Sequence, residues 1–277
     1  MHPVLWSPKE KYFLFPIDKT EKILYNGLLW IIGEKGGSGG TMVQLYEIAG
    51  LTVQMETFGR TLHQAQPYLC AQRDKVDIYI QSDRRAVQEK NPGMSDDHAE
   101  YLASGASFYR QLPSHNGLLL HSSAVVVDGR AYLFTAPRKT GKSTHVQLWL
   151  REFGERAYIL NDDKPALRKI DGKWCACGTP WSGKTGQNTN QCVPVAGIAL
   201  VGRDESNHIA PVPGAAAVMA LLEQTVRPEN PALSGKLLEM LDDLLKQVPI
   251  WKLYCNMEQA AARVAYEAMS AERENIL

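Results

Sequence analysis

The run Ala136-Pro-Arg-Lys-Thr-Gly-Lys-Ser143 constrains this chain more than any other segment. It fits the phosphate-binding pattern G-x-x-x-x-G-K-[ST] at every fixed position except the first, where alanine stands. The apolar run Ala131–Thr135 before it predicts a buried strand, and Thr144–Arg151 after it predicts a helix closed by Gly154. Strand, loop and helix in that order aim backbone N–H groups and the positive helix end at one point, which suits an anion. The pattern assigns Lys142 to the β- and γ-phosphates and the Ser143 hydroxyl to Mg²⁺. Pro137, Arg138, Lys139, Thr140, Gly141 and Thr144 complete the predicted cradle. The expected ligands are a nucleoside triphosphate, ATP, and Mg²⁺. Ala136 places a Cβ where the pattern's first glycine gives the backbone freedom, so altered loop geometry is expected there. The alternative is a chance match in a strand-to-helix turn.

Composition narrows the partners. Lys+Arg and Asp+Glu are 30 each, so the formal net charge is zero, which argues against nucleic-acid or anionic-membrane binding. The longest apolar stretches, such as Gly27–Gly33, are too short to span a bilayer. No signal peptide is visible, and a cytoplasmic protein is expected. The five cysteines, Cys70, Cys175, Cys177, Cys192 and Cys255, have an odd count and scattered spacing. They predict packed, reduced thiols rather than a disulfide framework; metal binding by Cys175, Cys177 and Cys192 is the alternative.

Three regions follow from the chain's punctuation. Residues 1–41 end in the flexible run Gly36-Gly-Ser-Gly-Gly40 and read as an N-terminal extension or as a long loop. Residues 42–115 form an α+β region without identifiable site chemistry: Met42–Val53 reads as one strand, Val76–Ile80 as another, and Ser95 caps a helix carrying Tyr101, Phe108 and Tyr109. Residues 116–277 hold the phosphate loop. There Gly117–Val127 reads as one strand, and Asp128-Gly129 and Asp171-Gly172 as hairpin turns. The loop's strand therefore has an antiparallel neighbour, unlike a sheet of alternating strand-helix units. Helices are predicted over Ala215–Gln224, Ser234–Val248 and Met257–Ser270. The fold class is α/β (α+β), with a mixed, hairpin-rich sheet and C-terminal helices.

Chemistry clusters downstream of the loop. Asn161-Asp162-Asp163 follows a hydrophobic strand, and adjacent carboxylates there suit Mg²⁺ binding and proton acceptance from an attacking hydroxyl. Both converge only if the chain turns, which Pro165 favours. A solvated Asn-Asp-Asp turn is the alternative. His121, read as lying in the neighbouring strand, would orient the attacking group, or else is a structural histidine. Gly178–Gly186 is a second polar loop: Ser182, Gly183 and Lys184 are candidate substrate contacts, and Trp181 a candidate clamp.

These residues resemble a known family. His121 before a hairpin, Gly141-Lys142-Ser143-Thr144, and a strand ending in Asp162-Asp163 look like the core of HPr kinase/phosphorylase, which is similar to the nucleotide-binding part of phosphoenolpyruvate carboxykinase. The resemblance spans roughly 118–212. It implies a P-loop kinase-like domain in which His121 and the aspartate pair belong to the active site and one aspartate acts as base. The chain departs from the family at Ala136, in the loop that contacts the carrier protein, and in residues 42–115. The resemblance therefore implies an ATP- and Mg²⁺-dependent kinase acting on a serine-type hydroxyl of a protein, peptide or small molecule, with homo-oligomerisation open. The alternatives are a catalytically inactive ATP-binding regulator and a carboxykinase-type enzyme acting on a small carboxylate.

Overall fold

The computed structural model describes residues 14–17, 20–25, 28–32, 42–71, 73–137, 140–228 and 230–271. Three strands, β1 (Leu14–Ile17), β2 (Thr20–Tyr25) and β3 (Leu28–Ile32), pair antiparallel in that order. The Gly36–Gly40 run lies outside the described residues.

Met42–Val53 is not one strand. β4 (Met42–Ile48) and β5 (Leu51–Thr57) form a hairpin through Ala49 and Gly50, at φ 55° and 70°. The apolar alternation runs through the turn, with Tyr46, Ile48, Leu51, Val53 and Met55 all buried, so periodicity hid it. Then come α1 (Gly59–Ala65), β6 (Ile78–Ile80) parallel to β5, α2 (Arg84–Lys90) and α3 (Asp96–Gln111). Ser95 Oγ accepts from His98 N at 3.3 Å, the expected cap of α3. α3 lays Tyr101, Phe108 and Tyr109 into one cluster with the buried face of this small sheet.

The larger sheet holds the loop. Its elements are β7 (Gly117–Leu119), β8 (Ser123–Val127), β9 (Arg130–Thr135), α4 (Lys142–Phe153), β10 (Ala157–Asn161), β11 (Ala166–Ile170), β12 (Lys173–Cys177), β13 (Cys192–Arg203), β14 (His208–Pro211), α5 (Gly214–Leu222), α6 (Pro231–Gln247), β15 (Ile250–Cys255) and α7 (Ala260–Ser270). The strand order is β10-β8-β9-β13-β12-β11-β7, with β15 pairing both β13 and β14. β13 runs parallel to β9 and β15 while the other pairs are antiparallel, so the fold is mixed α/β.

Both predicted hairpins are present. Asp128-Gly129 has φ 50° and 73°, and Asp171-Gly172 has φ 48° and 79°, the two left-handed residues that suit the twist of paired strands. Gly117–Val127 is broken: β7 pairs β11 and β8 pairs β9, leaving residues 120–122 between them. α4 and α7 pack aromatic Trp149 and Tyr266 on one face of the sheet; α5 and α6 pack Leu221, Leu237, Leu241 and Leu244 on the other. α6 starts at Pro231, three residues ahead of the predicted start at Ser234, and is capped by Asn230, whose Oδ1 accepts from Ala232 N at 2.9 Å. The cysteines differ from expectation too. Cys177 and Cys192 are register partners on β12 and β13 and form a disulfide, a pairing that sheet register creates and spacing alone did not reveal. Among the described residues, no helix is long and apolar enough to cross a membrane.

Candidate functional site

The loop is built by the end of β9 and the start of α4. Ala136 is 5% exposed and packs with the cluster around Phe134 and Val146. Its backbone lies outside the left-handed region, so its Cβ brings no strain. The left-handed residue is Gly141, at φ 118°, immediately before α4. A Cβ there would meet nothing within 4 Å, so glycine is required for conformation and not for space. Thr140 Oγ1 donates to Pro137 O at 2.8 Å, and Arg203 Nε, from the end of β13, donates to Thr140 O at 3.0 Å. Lys142 Nζ donates to Ala136 O at 2.8 Å, placing the ammonium across the loop. Ser143 and Thr144 are exposed on the first turn of α4. Arg138 and Lys139 lie outside the described residues.

The acidic pair sits at the same sheet end. Register pairs Ser123 with Phe134 and Ala124 with Asn161, so the start of β8 adjoins the ends of β9 and β10. The turn expected from Pro165 is made by Asn161: its Oδ1 accepts from Asp163 N at 3.0 Å and Lys164 N at 2.7 Å, while its Nδ2 donates to Thr179 O at 2.9 Å. This splits the two carboxylates. Asp162 is 7% exposed, and its Oδ1 accepts from Ser123 Oγ at 2.9 Å. Asp163 is partly exposed, with Oδ1 3.1 Å from His121 Nε2 and Oδ2 paired with the Lys164 ammonium. Burial pushes the Asp163 carboxyl up, but the His121 hydrogen bond and the Lys164 charge outweigh it and hold it at about 2.

His121 belongs to no strand; it lies in the break between β7 and β8. Its N–H donates to Gln224 O at 2.7 Å, and its Nδ1 lies 3.3 Å from Gln224 Oε1. Its carbonyl accepts from Thr135 Oγ1 at 2.8 Å. Thr135 directly precedes the loop, so one hydroxyl ties the His121–Asp163 pair to the turn that leads into α4.

The second loop is a buttress. Trp181 is fully buried, stacked on Phe108 at 5.0 Å, with Nε1 donating to Ser104 Oγ at 3.1 Å. It anchors the loop in the small sheet's core and cannot clamp a substrate. Ser182 is also fully buried, so it is no substrate contact. Gly183, at φ 71°, donates its N–H to Tyr101 Oη at 2.9 Å and presses on Asp163: an added Cβ would lie 2.8 Å from the Asp163 Cβ. Lys184 is exposed. Tyr109 Oη donates to Lys164 O at 2.5 Å and lies 2.9 Å from Thr179 Oγ1. Residues 42–115, read as having no site chemistry, thus supply one wall of the acidic turn. Sequence reasoning missed Tyr101, Tyr109, Thr135, Lys164 and Gln224. Lys164 directly follows the acidic pair and offered a cue; the tyrosines look like ordinary packing positions of α3.

Two cavities flank the loop. One of about 450 Å³ is lined by Thr140, Gly141, Thr144, Val201, Arg203 and Asn256. The other, about 160 Å³, opens at Thr135, Ala136 and Pro137. A larger groove of about 630 Å³ between α5, α6 and β15 contains none of these site residues. Among the described residues no cluster of three or more His, Cys, Asp or Glu could hold a metal. The Ser143 hydroxyl and the Asp162 and Asp163 carboxylates are hard oxygen donors. Hard oxygen donors are the ligand class that Mg²⁺ takes, with the rest of its shell drawn from phosphate and water.

No protein-family model matches the chain, and no curated protein matches it in sequence. Among solved structures it is similar to the Hpr(Ser) kinase/phosphatase from Coxiella burnetii, at 12% identity and a TM-score of 0.31, over 54% of this chain and 95% of that chain. These comparisons place the chain in no family.

Proposed function

We propose that the protein is an ATP-dependent phosphotransferase that moves the γ-phosphoryl group to a hydroxyl, on a fold of the HPr kinase and carboxykinase type. The supporting observation is the convergence of an anion-binding loop with a carboxylate–histidine pair at one sheet end, joined by the Thr135 to His121 hydrogen bond of 2.8 Å. The N–H groups of the loop and of the first turn of α4 bind the phosphates, and Lys142 leaves the Ala136 carbonyl to meet the β- and γ-oxygens. Ser143 and Asp162 would hold Mg²⁺, which neutralises charge on the phosphate oxygens when bound. Asp163 and Lys164 face the acceptor.

The ionisation of Asp163 sets its role. A carboxyl held at about 2 is charged at any physiological pH and is a weak base. That suits a transfer in which the hydroxyl is oriented and its proton leaves late, because phosphoryl transfer asks mainly for position and charge. Asp163 accepts the hydroxyl hydrogen bond and, late in the transfer, the proton, while the His121 ring at 3.1 Å holds the carboxylate in place.

Calorimetry with Mg–ATP tests the reading. Wild-type protein binds with micromolar-range affinity, and Lys142→Ala weakens binding or turnover at least 100-fold. Turnover unchanged in Lys142→Ala would falsify the assignment.

A further inference from the structure

The smaller cavity beside the loop is lined by one lysine and one glutamate. Register places Lys252 of β15 beside Leu200 of β13, and Leu200 beside Thr135 of β9. Lys252 therefore stands two strands, about 10 Å, from the residue that enters the loop. The other wall is the end of α5, with Glu223 and Gln224. Helix carbonyls and the Glu223 carboxylate make that wall negative. Glu223 and Lys252 line the same cavity, yet neither forms an ion pair with a described residue. The Lys252 ammonium lies 5.1 Å from the centroid of the Tyr254 ring, and a lysine and a glutamate lining one small space complement a ligand that carries both signs.

Size and connection narrow that ligand. A volume of about 160 Å³ is room for about five waters, or one small organic molecule. Leu200 and Ala220 supply apolar surface to the cavity. Gln224 connects the cavity to the acidic turn, because both its carbonyls are within hydrogen-bond reach of His121, at 2.7 and 3.3 Å.

We propose that this cavity is the acceptor subsite and that the acceptor is a free hydroxy amino acid of serine size. This rests on the phosphotransferase reading. The α-carboxylate pairs with Lys252, the α-ammonium with Glu223, and the side-chain hydroxyl points to the loop. The hydroxyl oxygen forms the new P–O bond, the bond between the γ-phosphorus and its bridging oxygen breaks, and the proton passes to the Asp163–His121 pair. The products are ADP and the O-phospho amino acid.

The test is L-serine binding to nucleotide-free protein by saturation-transfer NMR and calorimetry, in wild type, Lys252→Met and Glu223→Gln. Each variant is checked for an unchanged melting temperature. Wild-type binding, weakened at least tenfold in both variants while Mg–ATP affinity stays within twofold, is the expected result. Mass spectrometry then finds phosphoserine when Mg–ATP is added. Absence of L-serine binding, or phosphorylation of a seryl peptide but not of L-serine, overturns the subsite while leaving the phosphotransferase reading intact. Serine binding that Lys252→Met and Glu223→Gln do not weaken overturns it as well. Serine binding with no Mg–ATP affinity keeps the subsite and removes the phosphotransferase reading.

Discussion

Replacing Gly183 with alanine separates the part played by the second loop from that of the loop before α4. An alanine Cβ would lie 2.8 Å from the Asp163 Cβ and 3.2 Å from its Cγ. Carbon atoms rest at about 3.5–4.0 Å, so Asp163 or the loop must give by about 1 Å. The left-handed φ of 71° adds strain of about 1–2 kcal/mol. Misplacing a reacting group by about 1 Å costs on the order of 100-fold in rate, or about 2.7 kcal/mol of barrier. Gly183→Ala is therefore expected to lower kcat for ADP release about 100-fold, with the affinity for Mg–ATP within about threefold and a melting temperature reduced by a few degrees. A coupled ADP assay and calorimetry on one preparation give all three quantities. A wild-type kcat, or a loss of ATP affinity equal to the loss of kcat, would refute the idea that the second loop positions Asp163.

Three further outcomes are expected. Glu100 is 1% exposed, neither carboxylate oxygen has a hydrogen-bond partner, and burial raises its pKa to about 7. Because the folded value lies above the unfolded 4.5, stability is complete below pH 4.5 and falls as pH rises to about 7, by on the order of 3 kcal/mol. Glu100→Gln should leave melting unchanged near pH 4 and raise it at pH 8; an equal effect at both would contradict the assignment. Alkylation of unfolded, unreduced chain should label three cysteines, Cys70, Cys175 and Cys255, and all five after reduction. The disulfide closes a segment with a sequence separation of 15, so Cys192→Ser is expected to cost about 3 kcal/mol in oxidised protein and nothing in reduced protein.

The parts legible in the sequence are those whose physics is local. Asp-Gly pairs specify left-handed turn residues, Ser95 specifies a helix start, and Gly141-Lys142 specifies a turn into a helix. Long-range pairing was not legible. The break at residues 120–122 lies inside a continuous apolar run, because β7 and β8 are both buried and present no alternation. β13 and β15 went unread, yet their parallel pairing places Lys252 two strands from the loop's strand, across β13. The acidic pair was visible as a pair, but its division into a buried Asp162 and an ion-paired Asp163 depends on Ser123, His121 and Lys164 arriving from separate places. Trp181 carried the same ambiguity: an aromatic residue in a glycine-rich loop reads as a clamp until the small sheet's core is seen to enclose it.

The most direct measurement is transfer of label from γ-labelled ATP by wild-type protein and Asp163→Asn, read alongside ATP binding. Asparagine keeps the size of the side chain and removes the charge that faces His121 and Lys164. Wild-type protein is expected to transfer the label to a hydroxyl, and Asp163→Asn to bind Mg–ATP within about threefold of wild type while transferring at least 100-fold more slowly. Equal transfer by both proteins would contradict the assignment of Asp163 to the acceptor, and binding without transfer in either would leave a nucleotide-binding protein that performs no such chemistry.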